Sequence, residues 1–144
     1  MEIGLVYATK TNHSKKIADS ISAALGIEAK NAVQCPSYEN IDLLFLVGGI
    51  YGGKSLPEMM KFVDMIQAGN VRAVALITSC VSQKMYQEDV RKVLMRKGIH
   101  IVDEYQCQGS FLVVGLGHPD KKDIDDAVTF AKNAVEKMSV IQIS

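Results

Sequence analysis

The sequence has no tryptophan, only three prolines and three cysteines, and a net charge of zero from 16 basic and 16 acidic residues. Each shortage closes off a class of protein. Cys35, Cys80 and Cys107 form no Cys-x-x-Cys pair and cannot all be bridged, so reduced thiols in a cytoplasmic setting are expected. The charges balance in both halves, 7 against 7 through Arg72 and 9 against 9 from Ala73 onward. No basic field is left for nucleic acid or an anionic membrane. No apolar stretch approaches a membrane span, and Met1-Glu2 leads into an apolar run that soon meets Lys10, without the pattern of a secretory leader. His13, His100 and His118 do not stand at metal-ligand spacing and share no Cys or carboxylate cluster, so no metal is expected.

What is present suits one globular domain over residues 1–144. With 48% hydrophobic and 22% charged residues, the chain can bury a core without a staple, and disorder is excluded. Short apolar runs alternate with amphipathic segments, the βαβα pattern of a parallel sheet with helices on both faces. Five strands are expected. Ile3 to Ala8 is nearly continuous in apolar residues, as a strand buried on both faces should be. Ile27 to Val33 is weaker, Ile41 to Val47 is the clearest central strand, and Ala73 to Thr78 is the fourth. Ile99 to Cys107 alternates, Phe111 to Gly115 is apolar, and the last strand is expected to end at Val114-Gly115-Leu116.

Four helices fill the gaps. The first carries Ile17, Ile21 and Leu25 at steps of four beside Ala18 and Ala24, and Gly26 can take the left-handed position that ends it. Ser55 with Glu58 reads as a capping box around Pro57, opening a helix with Met60, Val63 and Ile66. Tyr86, Val90, Val93 and Leu94 mark the buried face of a third, closed by Lys97-Gly98. Asp120 is expected to cap a fourth, with Ile124, Val128, Ala131 and Val135 as its buried stripe.

A sheet of this kind binds its ligand beyond the carboxyl ends of the strands. Thr9-Lys10-Thr11-Asn12-His13-Ser14 offers hydroxyls and backbone N–H groups at a helix start, a phosphate cradle that needs no metal or else a polar capping segment. The run Gly48-Gly49-Ile50-Tyr51-Gly52-Gly53-Lys54-Ser55 formally matches the Walker pattern G-x-x-x-x-G-K-[ST]. The capping box, however, puts Lys54 in the loop, and no later strand ends in an aspartate to hold magnesium, so a triphosphatase is disfavoured. No G-x-G-x-x-G opens a helix, since Gly115-Leu116-Gly117 runs into His118-Pro119-Asp120.

The two loops resemble those of the short-chain flavodoxins and flavodoxin-like proteins, along nearly the whole chain. Thr9-x-Thr11-Asn12-His13-Ser14 is similar to the family's [ST]-x-T-G-x-[ST] phosphate loop, with Asn12 in the glycine's place, the least costly replacement if that position is left-handed. Gly49-Ile50-Tyr51-Gly52, followed by Gly53, is similar to the first flavin-contacting loop. Ser79-Cys80-Val81 falls where the second lies, although it lacks the usual glycines.

The resemblance implies an α/β doubly wound sheet of five parallel strands in order 2-1-3-4-5 with helices on both faces. It implies flavin mononucleotide (FMN) as cofactor, with Tyr51 against the ring and no catalytic residue. A redox carrier serving a larger reductase and acceptor fits a single domain without an inserted lid. A flavin-dependent reductase of a quinone-like small molecule is the alternative, and a flavin-free protein-binding module a further one. Lys84 to Lys97 is rich in cations and Gly98 to Asp126 in acids, which predicts surface patches of opposite sign able to steer a redox partner.

Overall fold

Apolar runs that neighbours cover on both sides become the inner strands, and the amphipathic segments between them become the layers above and below. The computed structural model describes residues 1–79, 86–106 and 121–143. In chain order these form β1 (Ile3–Ala8), α1 (His13–Leu25), β2 (Ala29–Asn31), a single 3-10 turn (Ala32–Gln34), β3 (Ile41–Tyr51), β4 (Lys54–Ser55) and α2 (Pro57–Met65). There follow β5 (Val71–Ser79), α3 (Glu88–Arg96), β6 (His100–Gln106) and α4 (Lys121–Ile143).

The sheet runs β2-β1-β3-β5-β6, every neighbouring pair parallel. Without β4, which pairs antiparallel with β3, this is the order 2-1-3-4-5 that the resemblance implies. Along β3 and β5 the side chains alternate between two cores. Leu44, Leu46, Val74 and Leu76 pack against Met59, Phe62 and Val63 of α2 and Val90, Val93 and Leu94 of α3. Leu43, Phe45, Ala75 and Ile77 face Ile17, Ala18 and Ile21 of α1 and Ala127, Ala131 and Ala134 of α4.

Several boundaries differ from expectation, each for a local reason. β2 is only three residues long because the Asn31 carboxamide accepts the Val33 N–H at 3.0 Å and folds the chain into the 3-10 turn. β3 does not stop at Val47: β1 pairs with it through Gly48 and β5 through Gly49, and β4 then lies alongside Ile50 and Tyr51. The buried stripe of α4 is Asp123, Ala127, Ala131, Ala134 and Met138, while Ile124, Val128 and Val135 flank it half-buried. Alanines let that helix approach the sheet closely, so the larger apolar residues lie at its sides.

Ala24 is exposed on α1, and Tyr86 stands before α3 at 42% exposure rather than on its buried face. Gly26 and Gly98 do end their helices with φ of 68° and 75°. Lys97 serves α2 rather than its own helix end, donating to the carbonyls of Asp64 at 2.5 Å and Ile66 at 2.6 Å. The expected strand segment Phe111 to Gly115, its end at Leu116 and the Asp120 cap lie outside the described residues.

Candidate functional site

Parallel pairing brings Ala8, Gly48, Thr78 and Gln106 into one row across the sheet. The chain leaves β1, β3 and β5 at that edge, so Thr9, Gly49 and Ser79 begin three adjacent segments. All of the predicted site residues belong to these segments. Cys80 and Val81 lie outside the described residues, so the third segment is described only at Ser79.

In the first segment Asn12 has φ 68° and ψ 2°, the left-handed conformation that the sequence called for. Its carbonyl accepts the Lys16 N–H at 3.0 Å, and its side chain makes no capping bond. The first turn of α1 therefore has its N–H dipoles directed into the loop, where no helical carbonyl can meet them. Thr9 Oγ1 is buried with no hydrogen-bond partner, and Thr11 is exposed beside it in sequence. Ser14 is wholly buried, and its hydroxyl meets that of Ser79 at 2.7 Å, tying the first segment to the third.

The second segment is a hairpin and not the open turn expected. Gly52 and Gly53 have φ of 59° and 81°, positive at both central positions as a tight hairpin of primed type demands. Lys54 then pairs with Tyr51, and Ser55 with Ile50. Ser55 is not a helix cap: its N–H and hydroxyl both donate to the Asp89 carboxylate, at 2.8 and 2.7 Å, and α2 opens one residue later on Leu56 and Pro57. The Walker match fails on the same geometry, because Lys54 lies in a strand and the hydroxyl after it is already bound.

Tyr51 folds back over the strand that carries it. A Cβ on Gly49 would lie 2.9 Å from its hydroxyl oxygen and 3.1 Å from two ring carbons, so the ring rests where only glycine leaves room. Lys10 reaches across from the first segment, its Nζ 5.7 Å from the ring centroid.

Beneath the hairpin lies a residue that no sequence signal announced. Gln87 is fully buried just before α3, and its Nε2 donates to the carbonyls of Ile77 at 3.0 Å and Leu46 at 3.4 Å. Its Oε1 has no partner and would stand 3.0 Å from a Cβ on Gly48. Thr78 Oγ1 is likewise buried without a partner.

The donor set suits a phosphate monoester. That group only accepts hydrogen bonds, and the first segment supplies threonine hydroxyls, one of them buried and unpartnered, with the positive end of a 13-residue helix and no acidic side chain. Tyr51 and the glycine backbone beside it suit a flat ring. Among the described residues no group of His, Cys, Asp and Glu could hold a metal.

Residues 5–127 match the family described as Flavodoxin domain. An uncharacterized protein of Methanocaldococcus jannaschii is 32% identical over 136 residues, covering 86% of this chain and 91% of that protein. A flavodoxin from the domain Archaea has a similar structure, with TM-score 0.75 and 15% identity, covering 96% of this chain and 99% of that one. Rubredoxin oxygen:oxidoreductase of Desulfovibrio gigas matches at TM-score 0.71 and 8% identity over 99% of this chain but 37% of its own. Oxidised flavodoxin 2 of Bacillus cereus matches at TM-score 0.63 and 20% identity, covering 95% and 99%. At such identities these structures establish the shared fold.

Proposed function

The chain belongs to the Flavodoxin domain family, and from that premise we propose that it binds FMN at the carboxyl edge of its sheet and carries electrons to or from a larger redox protein. The observation that carries this reading is the junction of the two loops: a phosphate cradle with a left-handed Asn12 and, bridged to it through Lys10, a glycine hairpin bearing Tyr51. When bound, the flavin supplies the one-electron and two-electron chemistry. Thr9, Thr11 and the N-terminus of α1 hold its phosphate, and Tyr51 lies against its ring. Gly49 leaves the space in which the Tyr51 phenol rests. No side chain is assigned a catalytic role. A cytoplasmic carrier agrees with the free Cys35 and with the absence, among the described residues, of a helix able to cross a membrane.

The purified protein is expected to be yellow, with one FMN per chain. A colourless protein that takes up no added FMN removes the reading. Thr11→Ala is expected to weaken FMN about tenfold, the scale of one hydrogen bond to a charged group, and to leave riboflavin affinity unchanged. Equal losses for both ligands would count against the phosphate loop. Reduced protein offered quinones and a cytochrome distinguishes carrier from enzyme, since rapid saturable turnover with a quinone alone indicates a small-molecule reductase.

A further inference from the structure

Lys10 is exposed and central to the first segment, and its ammonium is drawn to the face of an aromatic ring on another strand. Lys54, opposite Tyr51 in the hairpin, is exposed as well, while two further charges of this edge are committed elsewhere. Lys15 pairs with Asp19 at 2.8 Å, and the Asp89 carboxylate holds Ser55 and accepts the Val90 N–H. Among the described residues Lys10 has no carboxylate partner, so its charge is not cancelled locally.

A flat group stacked on Tyr51 has its centre roughly 4.5–7 Å from the phenol ring. The Lys10 ammonium, 5.7 Å from that ring, then lies close to a group stacked on its own face and about 10–13 Å from one stacked on the opposite face, roughly one Debye length at 0.1 M salt. Resting on the flavin reading above, we propose that Lys10 tunes the ring site, favouring the reduced over the oxidised cofactor by setting an uncancelled positive charge against Tyr51. The balance of charge gives the sign. Reduction by two electrons with uptake of one proton leaves the ring one unit more negative, and a fixed cation lowers the energy of that form. The electrons come from the protein's redox partner, or from dithionite in the test.

By linkage, a change in reduction potential equals the difference between the effects on reduced-form and oxidised-form affinity, so both are measured. FMN binding is titrated for wild type, Lys10→Gln and Lys10→Arg, oxidised in air and reduced under dithionite, at low and high salt. Lys10→Gln is expected to loosen the reduced cofactor roughly three- to tenfold more than the oxidised one, to move the midpoint potential negative, and to lose this difference at high salt. Lys10→Arg is expected to behave like wild type. Equal loosening of both forms, or none, overturns the proposal and leaves Lys10 a phosphate-loop or surface residue. A wild-type chain that takes up no flavin defeats the underlying reading instead.

Discussion

Ser14 and Ser79 are small residues 65 positions apart, yet their buried hydroxyls join the cradle to the end of β5. Either single change to alanine leaves a buried hydroxyl unpaired, at a cost of about 1–3 kcal/mol, whereas the double change removes both. A double-mutant cycle by urea denaturation is therefore expected to return a coupling of about 1 kcal/mol; additive losses would deny the bond. The left-handed backbone at Asn12 was legible from the sequence, because a local pattern sets it. Gln87 was not. Its place is fixed by carbonyls of Leu46 and Ile77 on two other strands, and no neighbour in sequence reveals that.

Among the elements, the β3–β4 hairpin was misread. Ser55 and Glu58 have the spacing of a capping box, but the hairpin partner Ile50 and the Asp89 carboxylate, the latter remote in sequence, claim Ser55 first. Asp89 thus anchors the segment that carries Tyr51 to the start of α3. Asp89→Ala is expected to cost about 1–3 kcal/mol and to speed amide exchange at Lys54 and Ser55 before the rest of the sheet; unchanged exchange there would deny the anchor. The stripe of α4 was misplaced for a different reason. Helical spacing shows that an apolar face exists, and the sizes of its residues suggested its centre, whereas close packing puts the alanines there.

Across the whole molecule, the alternation of buried runs and amphipathic segments pointed to the parallel sheet and the resemblance to its strand order, but neither revealed how charge is distributed. Among the described residues the two expected charge blocks touch where Arg91 binds both oxygens of Glu104, at 2.5 and 2.8 Å, and Asp103 of the acidic block is reached by Lys137 from α4. Burial, with Glu28 next, pushes the Tyr38 phenol from 10.0 up to about 12. The unfolded chain then releases this proton first, and stability is expected to fall as pH rises from about 10 to about 12. Tyr38→Phe should flatten that fall when denaturation midpoints are compared across the window; an unchanged slope would show that the phenol contributes nothing.

The sharing of one sheet face by α1 and α4 also orders events during synthesis. The α2–α3 face can close once β6 has been added, but α1 is made early and waits for the last helix. Until α4 leaves the ribosome, α1 covers only part of the face formed by Phe45, Ala75 and Ile77, so the nascent chain carries a sticky strip that is open to chaperones.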